Sequence, residues 1–200
     1  NIFKDVNYNI SEGSSKNLKT IDISVEEKPT GEVSAGAGVG TNGGSFAFNV
    51  QENNYLGEGK NVGFNMEIDQ ESVKGTLNYT NPNYDFLGNA LRYYLTSETN
   101  DQPDQGYENT IIGAGISTTF EQYNDVYTTL GINAAHDDLQ TQDSASASLK
   151  KQSGTFDEIS GTYGFTFDKR NRSFMPTDGS IISFNQSLPI YADKSFIANT

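Results

Sequence analysis

His136 stands beside Asp137 and Asp138, an imidazole next to two carboxylates, which is the chemistry of a general base or a metal ligand. It is the single histidine of the chain, and one histidine with no distant partner identifies no site. The plainer reading is a strand-end histidine beside an acidic loop. Gly36-Ala37-Gly38-Val39-Gly40 superficially resembles a phosphate-cradling glycine loop. That mechanism needs the loop to open a helix whose N-terminus faces the phosphate. Here Thr41-Asn42-Gly43-Gly44 makes a turn and another strand follows, so the context excludes it. The chain has no cysteine, which removes disulfides and thiolate metal sites. The densest motif runs from Asp168 through Lys169, Arg170, Asn171, Arg172, Ser173, Phe174 and Met175 to Pro176, Thr177, Asp178 and Gly179. Chemically it is a strand end, a basic stretch and a turn. Its cations could meet lipid phosphates or acidic groups of a preceding module; otherwise it is a charged turn that ends pairing. None of these groups supports catalysis, and neither a cofactor nor a metal is expected.

The elements that carry these residues are written in a two-residue beat. Phe46, Phe48 and Val50 alternate with Ser45, Ala47, Asn49 and Gln51. Val62, Phe64, Met66 and Ile68 oppose Asn61, Gly63, Asn65 and Glu67. The same pattern places Leu77, Leu130 and Phe165 with Phe46 and Phe64, and Asn78, Asn133 and Thr166 with Asn49 and Asn65. Successive strand side chains point to opposite faces, so each segment has one apolar and one polar face. The segments run about nine residues, the length a tilted strand needs to cross a bilayer. The expected fold is all-β, an antiparallel transmembrane β-barrel or part of one. A soluble sandwich also alternates, and a passive pore with Glu67, Asp69, Lys74 and Arg92 toward its lumen is a further alternative.

Composition agrees. Only 34% of the 200 residues are hydrophobic, and a barrel needs apolar residues only at every second strand position. With 26 acidic against 13 basic residues the formal charge is −13, which argues against nucleic acid.

Along the chain, residues 1–28 read as the end of a small α+β module and 29–31 as a linker. From residue 32 about nine to ten strands are expected, near 32–40, 45–53, 61–69, 73–80, 89–98, 110–120, 125–136, 158–168 and 180–190, with another beginning near Phe196. Compact turns at 54–60, 81–88, 121–124 and 170–179 should share one end with residues 1–28. Acidic loops at 99–109 and 137–157 should lie at the other, the second carrying a short helix over 144–152 capped by Asp143.

The first of these strands is unusual. Glu32, Ser34, Gly36, Gly38 and Gly40 share one face, and Val33, Ala35, Ala37 and Val39 share the other. Interior glycines and small side chains weaken strand pairing. Two readings stand: a labile edge that accepts an incoming strand, or glycines that let a barrel wall curve.

At these residues the chain resembles the barrel-assembly family typified by BamA, also called the bacterial surface antigen family. Phe3-Lys4-Asp5-Val6 and Thr20 through Glu27 look like the last strands of a POTRA domain. Thr30 through Gly44 looks like the family's first barrel strand and hairpin. Asn54-Tyr55-Leu56-Gly57-Glu58-Gly59 and Thr80-Asn81-Pro82 are similar to its first periplasmic turns. Asp168, Arg170, Pro176, Thr177 and Gly179 match its later turn motif. The resemblance implies a sixteen-stranded outer-membrane barrel behind periplasmic POTRA domains, of which this chain holds the end of the last POTRA and the first half of the barrel. It implies folding and insertion of outer-membrane proteins without nucleotide or metal. The partners it implies are unfolded client proteins, accessory periplasmic lipoproteins and outer-membrane lipid. Glu32 to Gly40 would be the lateral gate that pairs with a client strand. Related TamA-type factors and two-partner-secretion translocators share these features.

Overall fold

The alternation is expressed as backbone pairing. The computed structural model describes residues 3–15, 17–40, 43–172, 175–193 and 198–199. Strands β1 (Phe3–Glu12) and β2 (Lys19–Glu27) form a separate antiparallel hairpin. Then follow β3 (Gly31–Gly40), β4 (Gly43–Tyr55), β5 (Lys60–Ile68), β6 (Ser72–Asn81) and β7 (Ala90–Gln102). β8 (Tyr107–Tyr123), β9 (Val126–Thr141), helix α1 (Ala147–Lys150), β10 (Gly154–Asp168), β11 (Ile181–Ala192) and β12 (Ala198–Asn199) complete the order. β3 to β12 make one ten-stranded sheet in which every strand pairs with its sequence neighbour, an antiparallel meander. Phe196 and the Thr41-Asn42 hairpin tip lie outside the described residues.

Register confirms the two faces. One row runs Phe64, Leu77, Leu95, Ala114, Ala134 and Ile159 across six strands. The adjacent row on the other face runs Gly63, Asn78, Tyr94, Gly115, Asn133 and Ser160. Phe46, Phe64, Leu77, Leu130 and Phe165 are all exposed on the apolar face. The polar face is the crowded one: Ser160 is 6% exposed and Gly63, Gly113 and Gly164 are buried. Among the described residues Ala145 is the one buried hydrophobic, and it sits in a loop. This inversion, with oil outside and amides inside, suits a wall whose apolar face meets lipid.

Several expectations are corrected. β7 and β8 run on to Gln102 and from Tyr107, leaving 103–106 as the loop where 99–109 was expected. Polar pairs such as Asp101 with Glu108 continue the ladder after the apolar beat has stopped, because main-chain bonds do not require apolar side chains. For the same reason β9 reaches Thr141 and β10 begins at Gly154. The expected turn at 121–124 tightens to Asn124-Asp125, with Asp125 at φ 65° and a bulge between Glu121 and Tyr123. Helix α1 spans four residues, and its cap is Ser146, whose side chain accepts from the Leu149 N–H, instead of Asp143. The compact turns do share one end, but the two ends do not differ in loop length as expected. Residues 169–180 form a stretch as long as 142–153.

Candidate functional site: an unpaired edge and a clamped turn

β3 pairs with β4 on one side and is the last strand of the sheet on the other. Its register to β4 is unbroken from Gly31↔Glu52 to Gly40↔Gly43. Just before it, the Asn53 N–H donates to the Thr30 carbonyl at 3.3 Å. In an antiparallel pair, residues alternate between aiming both main-chain groups at the partner and aiming both away. Counting from Thr30, Glu32, Ser34, Gly36, Gly38 and Gly40 bond toward β4. Gly31, Val33, Ala35, Ala37 and Val39 therefore present N–H and C=O to the open side. Every residue of β3 is exposed, with Val39 at 92%.

The entry to β3 is tied down. Asn53 also donates its side-chain amide to the Thr30 carbonyl at 3.1 Å. The Thr30 hydroxyl donates to Glu52 Oε1, which also accepts from the Asn54 N–H at 2.7 Å. The Asn54 side chain in turn accepts from the Gly59 N–H at 2.7 Å and closes the first compact turn. Thr30 and Glu52 were not singled out in the sequence; nothing in their local pattern marks a bond between residues 22 positions apart.

The second site residues are drawn together at the end of β10. Asp168 accepts from Arg170 Nε at 2.8 Å and Nη2 at 2.6 Å, a two-pronged grip, and from the Arg170 N–H at 3.1 Å. The Asp168 N–H bonds to the carbonyl of Asp125 in the β8–β9 turn, so Asp168 lies at turn level, beyond the span that crosses the apolar band. Arg170's side-chain bonds, and then its N–H, hold the Asp168 carboxyl down to about 2. Asn171 donates to the Thr177 hydroxyl at 2.9 Å and accepts from the Thr177 N–H at 3.2 Å. Asn171 is the clamp that the sequence reading missed, and its Asx-turn chemistry was the available signal. Gly179 has φ 93°, and a Cβ there would lie 2.0 Å from the Lys169 carbonyl oxygen, so only glycine fits. Pro176 lies within the same turn, and Ser173 and Phe174 are outside the described residues. Lys169 faces the other way, its ammonium 5.6 Å from the centroid of the Phe167 ring.

His136 is not part of either cluster. Its Nδ1 lies 2.6 Å from Asp157 Oδ1 on the apolar face, at the end of the sheet opposite the clamped turn. No group of three or more ligating side chains that could hold a metal occurs among the described residues.

An antiparallel meander with an exposed apolar face and a crowded polar face is the wall of a transmembrane β-barrel. The Omp85 superfamily domain matches residues 54–197, and the chain belongs to that superfamily. It is similar to the outer membrane protein assembly factor BamA of Neisseria meningitidis serogroup B, 24% identical over 194 residues. That match covers 87% of this chain and 24% of the relative, so the chain spans about a quarter of the curated protein's length. It is also similar to the crystal structure of BamA from Haemophilus ducreyi lacking POTRA domains 1–3. There the TM-score is 0.77 at 21% identity, over 94% of this chain and 40% of that one.

Proposed function

We propose that this chain is part of an outer-membrane assembly factor that folds and inserts β-barrel proteins, and that β3 is its lateral gate. Membership of the Omp85 superfamily and likeness to a protein named as an assembly factor support the general role. The observation that carries the gate is the make-up of β3, which apart from Glu32 holds only glycines and side chains no larger than valine, and which turns the main-chain groups of Val33, Ala35, Ala37 and Val39 away from β4. Strand addition draws its affinity from such main-chain groups. The function is non-enzymatic: the edge supplies a template, and no bond is made or broken covalently.

In this reading the compact turns face the periplasm, and residues 1–28 are the C-terminal part of a POTRA domain. The β1–β2 hairpin supports that assignment. Val6 pairs with Val25, Tyr8 with Ile23 and Ile10 with Ile21 on one face, and all six are exposed. A lone two-stranded hairpin is marginal in water, so such a face belongs against further elements. Unfolded barrel proteins are the clients, accessory lipoproteins attach on the periplasmic side, and outer-membrane lipid surrounds the apolar face.

The test is a reversible lock. In the full-length protein, a cysteine at Ala35 is oxidised to a cysteine in the barrel's closing strand, and client assembly is followed in reconstituted membranes. Assembly should stop when the lock is closed and resume on reduction. Undiminished assembly in the fully oxidised protein would refute an opening gate.

A further inference from the structure

The densest motif of the sequence carries three cations, Lys169, Arg170 and Arg172, and the structure gives each a different place. Arg170 is held by Asp168 through Nε and Nη2. Arg172 turns back into the loop, its Nε donating to the Met175 carbonyl at 2.5 Å. Lys60, at the same end of the sheet, is paired with Glu58. Lys169 is exposed, and its ammonium lies against a ring in place of a carboxylate, 5.6 Å from the centroid of Phe167. Among the described residues no ion pair includes Lys169.

The backbone sets the direction of that side chain. The Asp168 N–H bonds toward β9, at the Asp125 carbonyl, and the Lys169 N–H bonds toward β11, at the Ser180 carbonyl, each at 2.9 Å. The alternation of the strand is thus carried past its end, and Lys169 follows Phe165 and Phe167 on the apolar face while Asp168 stands on the other. Phe165 pairs with Phe184, and the Tyr163 ring touches both, with centroids 6.1 Å and 6.0 Å away. The apolar face here is an aromatic ladder that ends in a cation. Further strands extend the wall sideways, beyond β3 and β12, and leave this outer face uncovered by protein.

We propose that Lys169 and this ladder seat one phospholipid of the leaflet at the compact-turn end, the periplasmic one in the reading above. The ammonium meets the phosphodiester oxygens, and one acyl chain lies along Phe167, Phe165 and Tyr163. The order of the chemistry selects this occupant: rings first, then a cation where a bilayer changes from hydrocarbon to phosphate. Long cationic side chains at that boundary lay their stems on apolar surface and place the charge among the headgroups. An ammonium binds phosphate as a point charge. The inference rests on the apolar face meeting lipid and adds a preference for anionic headgroups. A zwitterionic headgroup brings its own cation to the phosphate, whereas an anionic one leaves the phosphate for Lys169.

The experiment separates the seat from the wall that carries it. Ile182, exposed and opposite Phe167, is changed to cysteine in otherwise cysteine-free full-length protein and labelled with a fluorophore. The protein is placed in phosphatidylcholine vesicles holding a minor share of chain-brominated phosphatidylglycerol or chain-brominated phosphatidylcholine. Quenching at Ile182 should favour the brominated phosphatidylglycerol several-fold. Lys169→Gln should bring the two lipids to parity and Lys169→Arg should keep the difference, with heat-modifiability confirming that both variants fold. The same label at Leu130, elsewhere on the apolar face, should be quenched equally by both. Replacing chloride by inorganic phosphate at constant ionic strength should leave the preference in place; its loss would assign the ammonium to free anions and overturn the seat. A preference that survives Lys169→Gln would leave Lys169 to acidic groups of the preceding module, and also overturns it. Equal quenching by both lipids at Ile182 in the native protein would overturn the seat and keep the lipid-facing wall. Absence of quenching by either lipid at both positions would overturn the wall itself.

Discussion

The Tyr94 hydroxyl donates to the Asn133 side-chain oxygen across an intervening strand, from β7 to β9 over Gly115 of β8. The bond spans two strand spacings because the residue between has no side chain. It shows how the polar face is built: long side chains lie flat over glycines, and the lumen wall is packed by amides and hydroxyls in place of alkyl groups.

Gly115→Val should therefore be costly. Its Cβ would lie 2.4 Å from the Tyr94 ring and 2.5 Å from the Asn133 oxygen. Overpacking of this kind costs about 1–3 kcal/mol. Urea unfolding of the folded barrel in lipid should show the loss, and Tyr94→Ala in the same chain should recover part of it. A variant as stable as the native protein would mean that Tyr94 swings away freely.

Leu130 and Thr129 test the two faces at one depth. Leu130 is exposed on the apolar face, paired with Thr118 and Tyr163. Leu130→Arg should cost about 2–4 kcal/mol if the site lies near the bilayer midplane. Thr129→Arg, on the polar face, should cost much less. Equal losses, measured by unfolding from vesicles, would contradict the assignment of the apolar face to lipid.

Acid should loosen the clamped turn. The folded pKa of Asp168, about 2, lies below its ordinary 3.8. A depressed carboxylate contributes stability that is fully present above the unfolded value and is lost as pH falls toward the folded one. The window is therefore from about pH 4 down to about pH 2. Asp168→Asn should remove this part of the acid dependence while leaving stability near neutrality lower and flatter. Hydrogen exchange at the Asn171 and Thr177 amides reads it locally, and an unchanged acid limb in the variant would exclude Asp168 as its source.

Neighbouring prolines distinguish the two sides of β3. Ala37→Pro deletes an N–H aimed at the open edge, whereas Gly38→Pro deletes one aimed at β4. Both constrain φ alike. Ala37→Pro should impair client cross-linking more than barrel folding, and Gly38→Pro should impair folding first. If the two behave identically in heat-modifiability and client assays, the outward direction at Ala37 is wrong.

Much of this architecture was readable from residue types. The beat of Phe64 and Met66 against Gly63 and Asn65 specifies faces, and the small side chains from Val33 to Val39 mark an odd strand. Strand ends were not readable. Asp101 and Glu108, or Asp138 and Thr155, look like loop residues, yet they pair through main-chain groups to which composition is blind. Nor could spacing separate the covered glycines from the bare ones. Gly115 and Gly36 look alike in sequence, and only register reveals that one has Tyr94 above it and the other open space. The Asp168–Gly179 motif was legible as a turn; that Asn171 holds it closed depends on a contact six residues away.

The bonds from Thr30 to Glu52 and Asn53 have a mechanical consequence. They lie across the start of the β3–β4 ladder, at right angles to the strands. A pull arriving through the preceding hairpin is therefore handed to β4 before it reaches β3. β4 is zipped to a neighbour on both flanks, so the load is taken in shear, where many bonds must yield together. The rest of β3 is thereby shielded from that pull.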